Sequence, residues 1–151
     1  MVQETTDGGF TLSDDVQRFD LERAHRWIAT ESYWAEGIPF STFAKACANS
    51  LVVGAYAADG TMAAMARVVT DRATFGWVCD VFVDTDHRGV GLGKLMMAYL
   101  KAHPDLQGLR RLHLATRDAH ALYRKFGFKD LTSVETWMEI RDPDVYRRAS
   151  R

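Results

Sequence analysis

The feature that most constrains this chain is residues 81–95, an apolar strand followed by a glycine-rich turn and the start of a helix. Apolar residues at helical spacing indicate the helix, and these are Leu92, Leu95, Met96, Tyr99 and Leu100. Gly89, Gly91 and Gly93 leave the turn without side chains, so its N–H groups can approach a ligand closely. A helix N-terminus adds unpaired donors and a partial positive charge, and Arg88 adds a cation. The stretch therefore predicts a binding loop for a phosphate or pyrophosphate.

The spacing of this loop excludes three other glycine-loop sites. A Walker loop needs a glycine where Arg88 stands and a Ser or Thr where Leu95 stands. A dinucleotide-binding fingerprint needs its last glycine at position 94 or 96, which are Lys94 and Met96. An EF-hand that starts at Asp84 would place Arg88 and Leu95 where an oxygen ligand and the closing Glu belong. None of the three patterns is satisfied.

The run Arg88-Gly89-Val90-Gly91-Leu92-Gly93 resembles the Arg/Gln-x-x-Gly-x-Gly/Ala loop of the GNAT superfamily of acetyl-CoA-dependent N-acetyltransferases. In that family the backbone of this loop holds the pyrophosphate of coenzyme A. Taken alone, the motif also fits a glycine-rich turn that caps a helix without a ligand, because short glycine patterns recur by chance.

A second segment, Ala119-His120-Ala121-Leu122-Tyr123-Arg124-Lys125-Phe126-Gly127-Phe128, resembles the family's Ala-x-x-Leu-Tyr-x-x-x-Gly-Phe pattern. Two motifs in the right order and separation are far more specific than either one. The chain departs from the family at Thr116, where an Asn is common. Threonine still forms hydrogen bonds but is shorter than asparagine.

The order of the predicted elements is that of the GNAT fold, an α+β fold with a mixed central sheet of about seven strands flanked by about four helices. The strands are expected at residues 10–12, 51–58, 62–69, 74–83, 112–116, 129–131 and 134–140. Helices are expected to begin after Asp20, at Ser41 or Thr42, at Leu92 and near Asp118. The strand at 10–12 is expected at an edge and the short apolar strand at 112–116 in the interior. We expect one domain over residues 1–151, with a polar tail from about residue 143.

Composition excludes several classes of function. With 151 residues, 47% hydrophobic and 26% charged, the chain is an ordinary globular sequence, and its net charge of -1 gives no reason to bind nucleic acid or an anionic membrane. Cys47 and Cys79 have neither metal-ligand spacing nor a disulfide pattern, so no metal is expected. The polar N-terminus is unlike a signal peptide. A cytoplasmic enzyme or binding domain is therefore expected.

The family resemblance implies that acetyl-CoA is the co-substrate and that backbone groups of the fourth strand and the glycine loop hold it. An N–H near Val81 or Phe82 is the expected donor to the oxyanion of the reaction. The residues expected to bind acetyl-CoA are Val81, Phe82, Val83, Arg88, Gly89, Val90, Gly91, Leu92, Gly93, Lys94, Thr116 and Tyr123.

Asp80 and Tyr123 are the expected catalytic residues. The family's matching tyrosine lies near the sulfur of the cofactor, where its hydroxyl can protonate the departing thiolate. Asp80 follows Val78 in an apolar row, and desolvation there would raise the pKa of a carboxylate toward that of a useful base. The alternatives left open are an ion pair of Asp80 with Arg67 and a water relay. Acetylation of Cys79 is disfavoured because no histidine lies near it in the sequence.

The acceptor is expected to be the primary amine of a small molecule that attacks directly in a ternary complex. Its predicted binding residues are Tyr33, Trp34, Arg67, Trp77 and Asp80. Glu36, Asp71 and Arg72 occupy neighbouring positions in the family. A protein lysine or N-terminal acceptor and a non-catalytic coenzyme A-binding regulatory domain are the alternatives. A homodimer is left open.

Overall fold

The computed structural model describes residues 1–149. The strands are β1 (Glu4–Asp7), β2 (Phe10–Ser13), β3 (Leu51–Tyr56), β4 (Met62–Thr70), β5 (Phe75–Val83) and β6 (Arg111–Leu114). The helices are α1 (Leu21–Glu31), α2 (Phe40–Ala48), α3 (Leu92–Ala102), α4 (His120–Arg124) and α5 (Val145–Ala149). None of these helices is long and apolar enough to cross a membrane.

The six strands form one sheet in chain order, and this confirms the mixed sheet of the expected α+β fold. All neighbours are antiparallel except β5 and β6, which run parallel. The parallel ladder is short: Phe75 to Val78 pair with Arg111 to Leu114, and β5 continues for five residues with no partner on that side. The sheet therefore opens between β5 and β6.

Helices cover the two faces of the sheet and form two apolar clusters. On one face α3 packs through four residues of the predicted apolar stripe, Leu92, Met96, Tyr99 and Leu100, and also through Met97, while the fifth stripe residue, Leu95, is partly buried against the same cluster. On the other face α1 and α2 pack, and the Trp27 ring stacks on Phe82 with 5.4 Å between centroids. The predicted start of α1 after Asp20 is confirmed, and Asp20 caps the helix by accepting a hydrogen bond from the Arg23 N–H at 3.1 Å.

The edges of the sheet differ from the prediction. Residues 4–7 form an additional strand, so the strand at Phe10 lies inside the sheet. The strands expected at 129–131 and 134–140 do not form, so β6 is an edge strand and the sheet has six strands where about seven were expected. Alternating apolar residues favour a strand only where a neighbour completes the ladder, and here a 3₁₀ turn at Val134–Thr136 interrupts the segment.

The C-terminal region contains one further helix. Residues 145–149 of the expected polar tail form α5, the fifth α-helix within residues 1–149. Ser150 and Arg151 lie outside the described residues.

Candidate active site

The glycine loop joins the end of β5 to the start of α3. Gly89 and Gly91 have φ values of 80° and 82°, which side-chain-bearing residues rarely adopt. A Cβ atom at either position would meet no protein atom within 4 Å, so both face open space. The first hydrogen bond of α3 runs from the Leu95 N–H to the Gly91 carbonyl at 3.1 Å. The N–H groups before Leu95, those of Leu92, Gly93 and Lys94, are therefore free to bind an anion.

Three side chains of the loop are exposed, and they are Arg88, Val90 and Lys94. Arg88 donates from Nε to the Val83 carbonyl at 3.0 Å, and its guanidinium lies 5.3 Å from the centroid of the Phe82 ring. Arg88 therefore lies beside the loop, held by contacts with the end of β5.

A cavity of about 460 Å³, here called the cleft, lies where β5 and β6 diverge. Residues 77–81 of β5 line one side, and residues 114–119, from the end of β6 onward, line the other. Tyr123 is a buried part of the lining, whereas Tyr33 and Trp34 are 46% and 42% exposed and so lie at the mouth. The cleft thus combines residues that the sequence predicted as catalytic, cofactor-binding and acceptor-binding.

A β-bulge distorts β5 beside the cleft. Met65 pairs with Phe82 and Arg67 with Cys79, so two residues of β5, Asp80 and Val81, oppose one residue of β4. Asp80 has a φ of 49°, which is uncommon for a residue with a side chain. A bulge removes backbone groups from the ladder, and here it does so at the strand that borders the cleft.

The bulge also corrects the predicted face of Asp80. Val78 and Val81 pack with the cluster around α3, whereas Phe82 packs with the cluster of α1 and α2. Asp80 contacts Trp34 and Arg67 and so lies on the side of Phe82, as predicted, but not on the side of Val78. The extra residue reverses the alternation between positions 78 and 80.

Both carboxylate oxygens of Asp80 accept hydrogen bonds. Arg67 Nε donates to Oδ2 at 2.7 Å, and Trp34 Nε1 donates to Oδ1 at 2.7 Å. Arg67 also donates from Nη1 to the Ser50 hydroxyl at 3.0 Å. The ion pair between Asp80 and Arg67, one of the alternatives, is therefore present, and it is largely buried.

Tyr123 is buried in the wall of the cleft, and its ring meets Phe128 edge-on with 5.9 Å between centroids. Its hydroxyl has no hydrogen-bond partner among residues 1–149 and is not fully enclosed, so it is accessible from the cleft. Burial raises the pKa of this hydroxyl, and the nearby Tyr33 and Asp118 raise it further. Leu122 and Phe126 pack against the core beside it.

The segment after β6 contains one predicted residue and one that the sequence did not reveal. The Thr116 hydroxyl oxygen accepts from the N–H groups of Ala119 (3.1 Å) and Asp118 (3.4 Å) and stabilises the turn before α4. The Arg117 guanidinium carbon lies 3.8 Å from the centroid of the Tyr33 ring, and the Arg117 N–H donates to the Tyr33 hydroxyl at 3.0 Å. An arginine in a loop carries no sequence signal for this contact.

The acceptor-binding residues predicted from the sequence fall into two groups. Tyr33, Trp34, Trp77 and Asp80 line the cleft, and Arg67 reaches it through Asp80. The three neighbouring positions that the family resemblance indicated, Glu36, Asp71 and Arg72, do not line the cleft. Glu36 lines an adjoining polar cavity with Arg141, and this cavity shares Tyr33 and Trp34 with the cleft. Asp71 and Arg72 lie in the β4–β5 turn, where Arg72 pairs with Asp105.

The two cysteines are free thiols with raised pKa values. Burial raises the pKa of Cys47 to about 12 and that of Cys79 to about 11, although Arg67 partly opposes both shifts. Within residues 1–149 no group of three or more His, Cys, Asp or Glu side chains is placed to bind a metal.

Unpaired N–H groups at a helix start, next to a cleft between diverging strands, form a site that suits a ligand carrying phosphate. Comparison with known proteins identifies the class more closely. The chain belongs to the acetyltransferase (GNAT) family, whose sequence profile matches residues 17–128.

Individual relatives agree with this assignment. A crystal structure of a candidate GNAT acetyltransferase from Xanthomonas campestris is 42% identical, has a TM-score of 0.88 and covers 91% of this chain and 96% of its own. A candidate acetyltransferase of Gibberella zeae is 28% identical and covers 85% of this chain and 84% of its own length. A candidate acetyltransferase from Clostridium acetobutylicum, solved with acetyl-CoA, shares the fold at 16% identity and a TM-score of 0.57, and covers 93% of this chain and 96% of its own.

Proposed function

We propose that the chain transfers the acetyl group of acetyl-CoA to the primary amine of a small molecule, by direct attack in a ternary complex. The observation that carries this proposal is the arrangement along β5. Trp77 lies at the acceptor end of the cleft, the bulge at Asp80 follows, and the strand then leads into the glycine loop. Both substrates can therefore meet beside the bulge.

Acetyl-CoA supplies an acyl group already activated as a thioester. We assign its pyrophosphate to the N–H groups at the start of α3, because these donors are unpaired and the helix dipole favours an anion there. The Val81 N–H at the bulge is the proposed donor to the oxyanion. The Tyr123 hydroxyl gives its proton to the departing thiolate, since it lines the cleft and has no protein partner.

Asp80 is the proposed acceptor of the proton that the amine loses, directly or through a water molecule. It is a carboxylate in the wall of the cleft, and Arg67 and Trp34 fix the positions of its two oxygens. The same contacts suit a purely structural ion pair. The pH dependence of turnover separates these roles, as argued in the Discussion.

The mouth of the cleft favours a small acceptor over a protein chain. Tyr33, in the loop between α1 and α2, is tied to Arg117, in the segment after β6, by a hydrogen bond and by stacking. This contact bridges the two sides of the mouth. Trp34 and Trp77 add aromatic faces, which attract the cationic form of an amine before it loses its proton.

The proposal is tested by measuring the release of free thiol from acetyl-CoA in the presence of a panel of small primary amines. Lysine peptides and peptides with free N-termini form a second arm. We expect turnover with at least one small amine and little with peptides. Tight binding of acetyl-CoA without transfer to any amine would instead indicate a regulatory coenzyme A-binding domain.

We further propose that residues 1–151 form one catalytic domain in the cytoplasm. The continuous sheet supports the first statement, because its strands extend from residue 4 to residue 114. The two unpaired thiols suit a reducing compartment and support the second.

A further inference from the structure

A second cavity, of about 500 Å³ and here called the polar cavity, adjoins the mouth of the cleft. The loop between α1 and α2 lines one side of it, and residues 141–147 line the other. Tyr33 and Trp34 line both cavities, so one ligand can extend from the cleft into the polar cavity past these two rings. The acceptor end of the cleft therefore continues into a space beyond the reacting amine.

Four charged side chains line the polar cavity, and they are of two kinds. Asp142 and Arg147 form ion pairs within residues 142–148. Glu36 and Arg141 form no ion pair, either with each other or with any other residue of the described chain. One carboxylate and one guanidinium thus line the same cavity and remain uncommitted.

Opposite charges that stay apart in one cavity suit a ligand that carries both charges. The guanidinium of Arg141 matches a carboxylate, to which it can donate two parallel hydrogen bonds. The carboxylate of Glu36 matches an ammonium group. A phosphate would be repelled by Glu36, and a plain amine would leave Arg141 unused. The α-ammonium and α-carboxylate of a free amino acid, here called its head, supply both groups on one carbon atom.

The position of Trp34 indicates which amine of such a molecule reacts. Its Nε1 donates to Asp80 Oδ1 at 2.7 Å, so one edge of the indole lies at the carboxylate proposed to take the proton of the amine. The same side chain lines the polar cavity. The indole therefore separates a head in the polar cavity from Asp80, and an α-amine held by Glu36 does not reach the reacting centre. The reacting amine has to stand at the end of an extended side chain.

We propose that the acceptor is an α-amino acid with a second amine at the end of an unbranched side chain, as in lysine or ornithine. Arg141 binds the α-carboxylate, and Glu36 binds the α-ammonium. The methylene chain passes along the Trp34 ring, which suits its apolar surface, and brings the terminal amine to Asp80.

This inference rests on the proposed acetyl transfer and adds to it only the class of acceptor. The neutral terminal amine attacks the carbonyl carbon of the thioester, a carbon–nitrogen bond forms and the carbon–sulfur bond breaks. The nitrogen loses one proton to Asp80 or to water, and Tyr123 gives one to the sulfur. The products are an amino acid acetylated on its side-chain nitrogen and free coenzyme A.

The first test compares acceptors with the full chain. The better substrate of lysine and ornithine is measured beside analogues that lack the α-amine, the carboxylate or both, which for lysine are 6-aminohexanoate, cadaverine and pentylamine. We expect kcat/KM to fall by about tenfold for each head group removed, because each charge-assisted hydrogen bond is lost. Mass spectrometry should place the acetyl group on the side-chain nitrogen.

The second test assigns each head group to its residue. Arg141→Gln should raise KM about tenfold for lysine and 6-aminohexanoate and leave KM for cadaverine unchanged, because cadaverine has no carboxylate. Glu36→Gln should raise KM for lysine and cadaverine but not for 6-aminohexanoate. Arg26→Gln is the matched control, since it removes an exposed positive charge from α1 and lines neither cavity. Thermal unfolding checks that all three variants fold.

The outcomes separate this inference from the proposed function. Equal turnover of pentylamine and lysine, an equal effect of Arg141→Gln on every acceptor, or acetylation of the α-nitrogen would overturn the inference and leave acetyl transfer intact. Calorimetry of lysine with the protein and coenzyme A covers the converse case. Lysine binding that Arg141→Gln weakens, without transfer, would support the head site and contradict the proposed function. Absence of both lysine binding and transfer would overturn both.

Discussion

Arg67 and Asp80 form an ion pair across β4 and β5, with Arg67 Nε 2.7 Å from Asp80 Oδ2, at the point where β5 bulges. Trp34 binds the other oxygen of Asp80 and thereby ties the loop between α1 and α2 to the same bulge. The pair thus fixes a backbone conformation with a φ of 49° at Asp80 beside the cleft. Strain of this kind persists only where the surroundings hold it.

The substitution Asp80→Asn tests the two proposed roles of this carboxylate. It leaves Arg67 buried without its counter-charge, so we expect the free energy of unfolding to fall by about 3 kcal/mol. If Asp80 accepts the proton, kcat falls and the acidic limb of the kcat/KM profile disappears, because activity is lost when a base is protonated at low pH. Chemical denaturation and pH–rate profiles measure the two effects separately.

Trp34→Phe is the matched control for Asp80→Asn, since it removes the other hydrogen bond to the carboxylate and keeps an aromatic ring at the mouth. We expect it to retain the acidic limb. An Asp80→Asn variant that also retains that limb, with only its stability reduced, would contradict the role as a base and leave a structural ion pair.

The second prediction concerns Gly91 in the glycine loop. Gly91→Ala adds a methyl group where the backbone must approach phosphate, so we expect the affinity for acetyl-CoA to fall by about tenfold or more. Calorimetry with acetyl-CoA measures the loss. A left-handed φ also costs an alanine about 1 kcal/mol of stability, which thermal denaturation detects.

Gly60 provides the control for this strain. It has a φ of 87°, and a Cβ atom there also meets nothing within 4 Å, but it lies in the β3–β4 turn. Gly60→Ala should therefore lose similar stability and keep its affinity for acetyl-CoA. Equal affinity in both variants would mean that the loop does not hold the cofactor.

The third prediction concerns the contact between Tyr33 and Arg117 at the mouth of the cleft. Tyr33→Leu removes both the ring beneath the guanidinium and the acceptor of the Arg117 N–H. We expect KM for the amine to rise several-fold, on the scale of one cation–π contact, with KM for acetyl-CoA unchanged. Tyr33→Phe, which keeps the ring, should show a smaller effect. A change confined to KM for acetyl-CoA would place Tyr33 against the cofactor instead.

The fourth prediction excludes a covalent route through Cys79. With its pKa raised to about 11, chiefly by burial, about one thiol in a thousand is ionised at pH 8. Cys79→Ser should therefore keep turnover within about threefold of the parent. Mass spectrometry of the parent with acetyl-CoA alone should show no acetylated protein, and an adduct on Cys79 would contradict direct attack.

The sequence predicts the centre of this molecule better than its edges. The glycine loop, the stripe on α3 and the cap at Asp20 depend on local spacing, and all three are found where expected. The prediction of a strand at residues 134–140 is wrong because a strand needs a neighbouring strand to pair with, and alternation of apolar and polar residues does not show whether one is available.

The site shows the same division between local and distant contacts. Tyr123 is recognisable because its motif is contiguous, whereas the contact of Arg117 with Tyr33 joins residues 84 positions apart. The residues of β5 themselves carry no signal for the bulge at Asp80, and the extra residue reverses which face the side chains after it occupy relative to those before it.

Tyr123→Phe tests the proposed general acid, because it keeps the buried ring and removes only the hydroxyl. The structure favours a chemical role over a structural one: the ring already packs on Phe128, and the hydroxyl has no hydrogen bond to lose within residues 1–149. We therefore expect nearly unchanged stability and acetyl-CoA affinity, with kcat reduced by about 10²-fold.

The pH profile supplies a second check on Tyr123. A general acid must be protonated, so activity is lost as pH rises through its pKa, and burial raises the pKa of this hydroxyl above its ordinary value near 10. The parent should therefore show no basic limb from Tyr123 below about pH 10. Leu122→Ala is the control on the same helix: it removes core packing next to the tyrosine and should cost about 2 kcal/mol of stability while turnover of the folded protein persists. If Tyr123→Phe instead behaved like Leu122→Ala, the tyrosine would be a packing residue and the thiolate would take its proton from solvent.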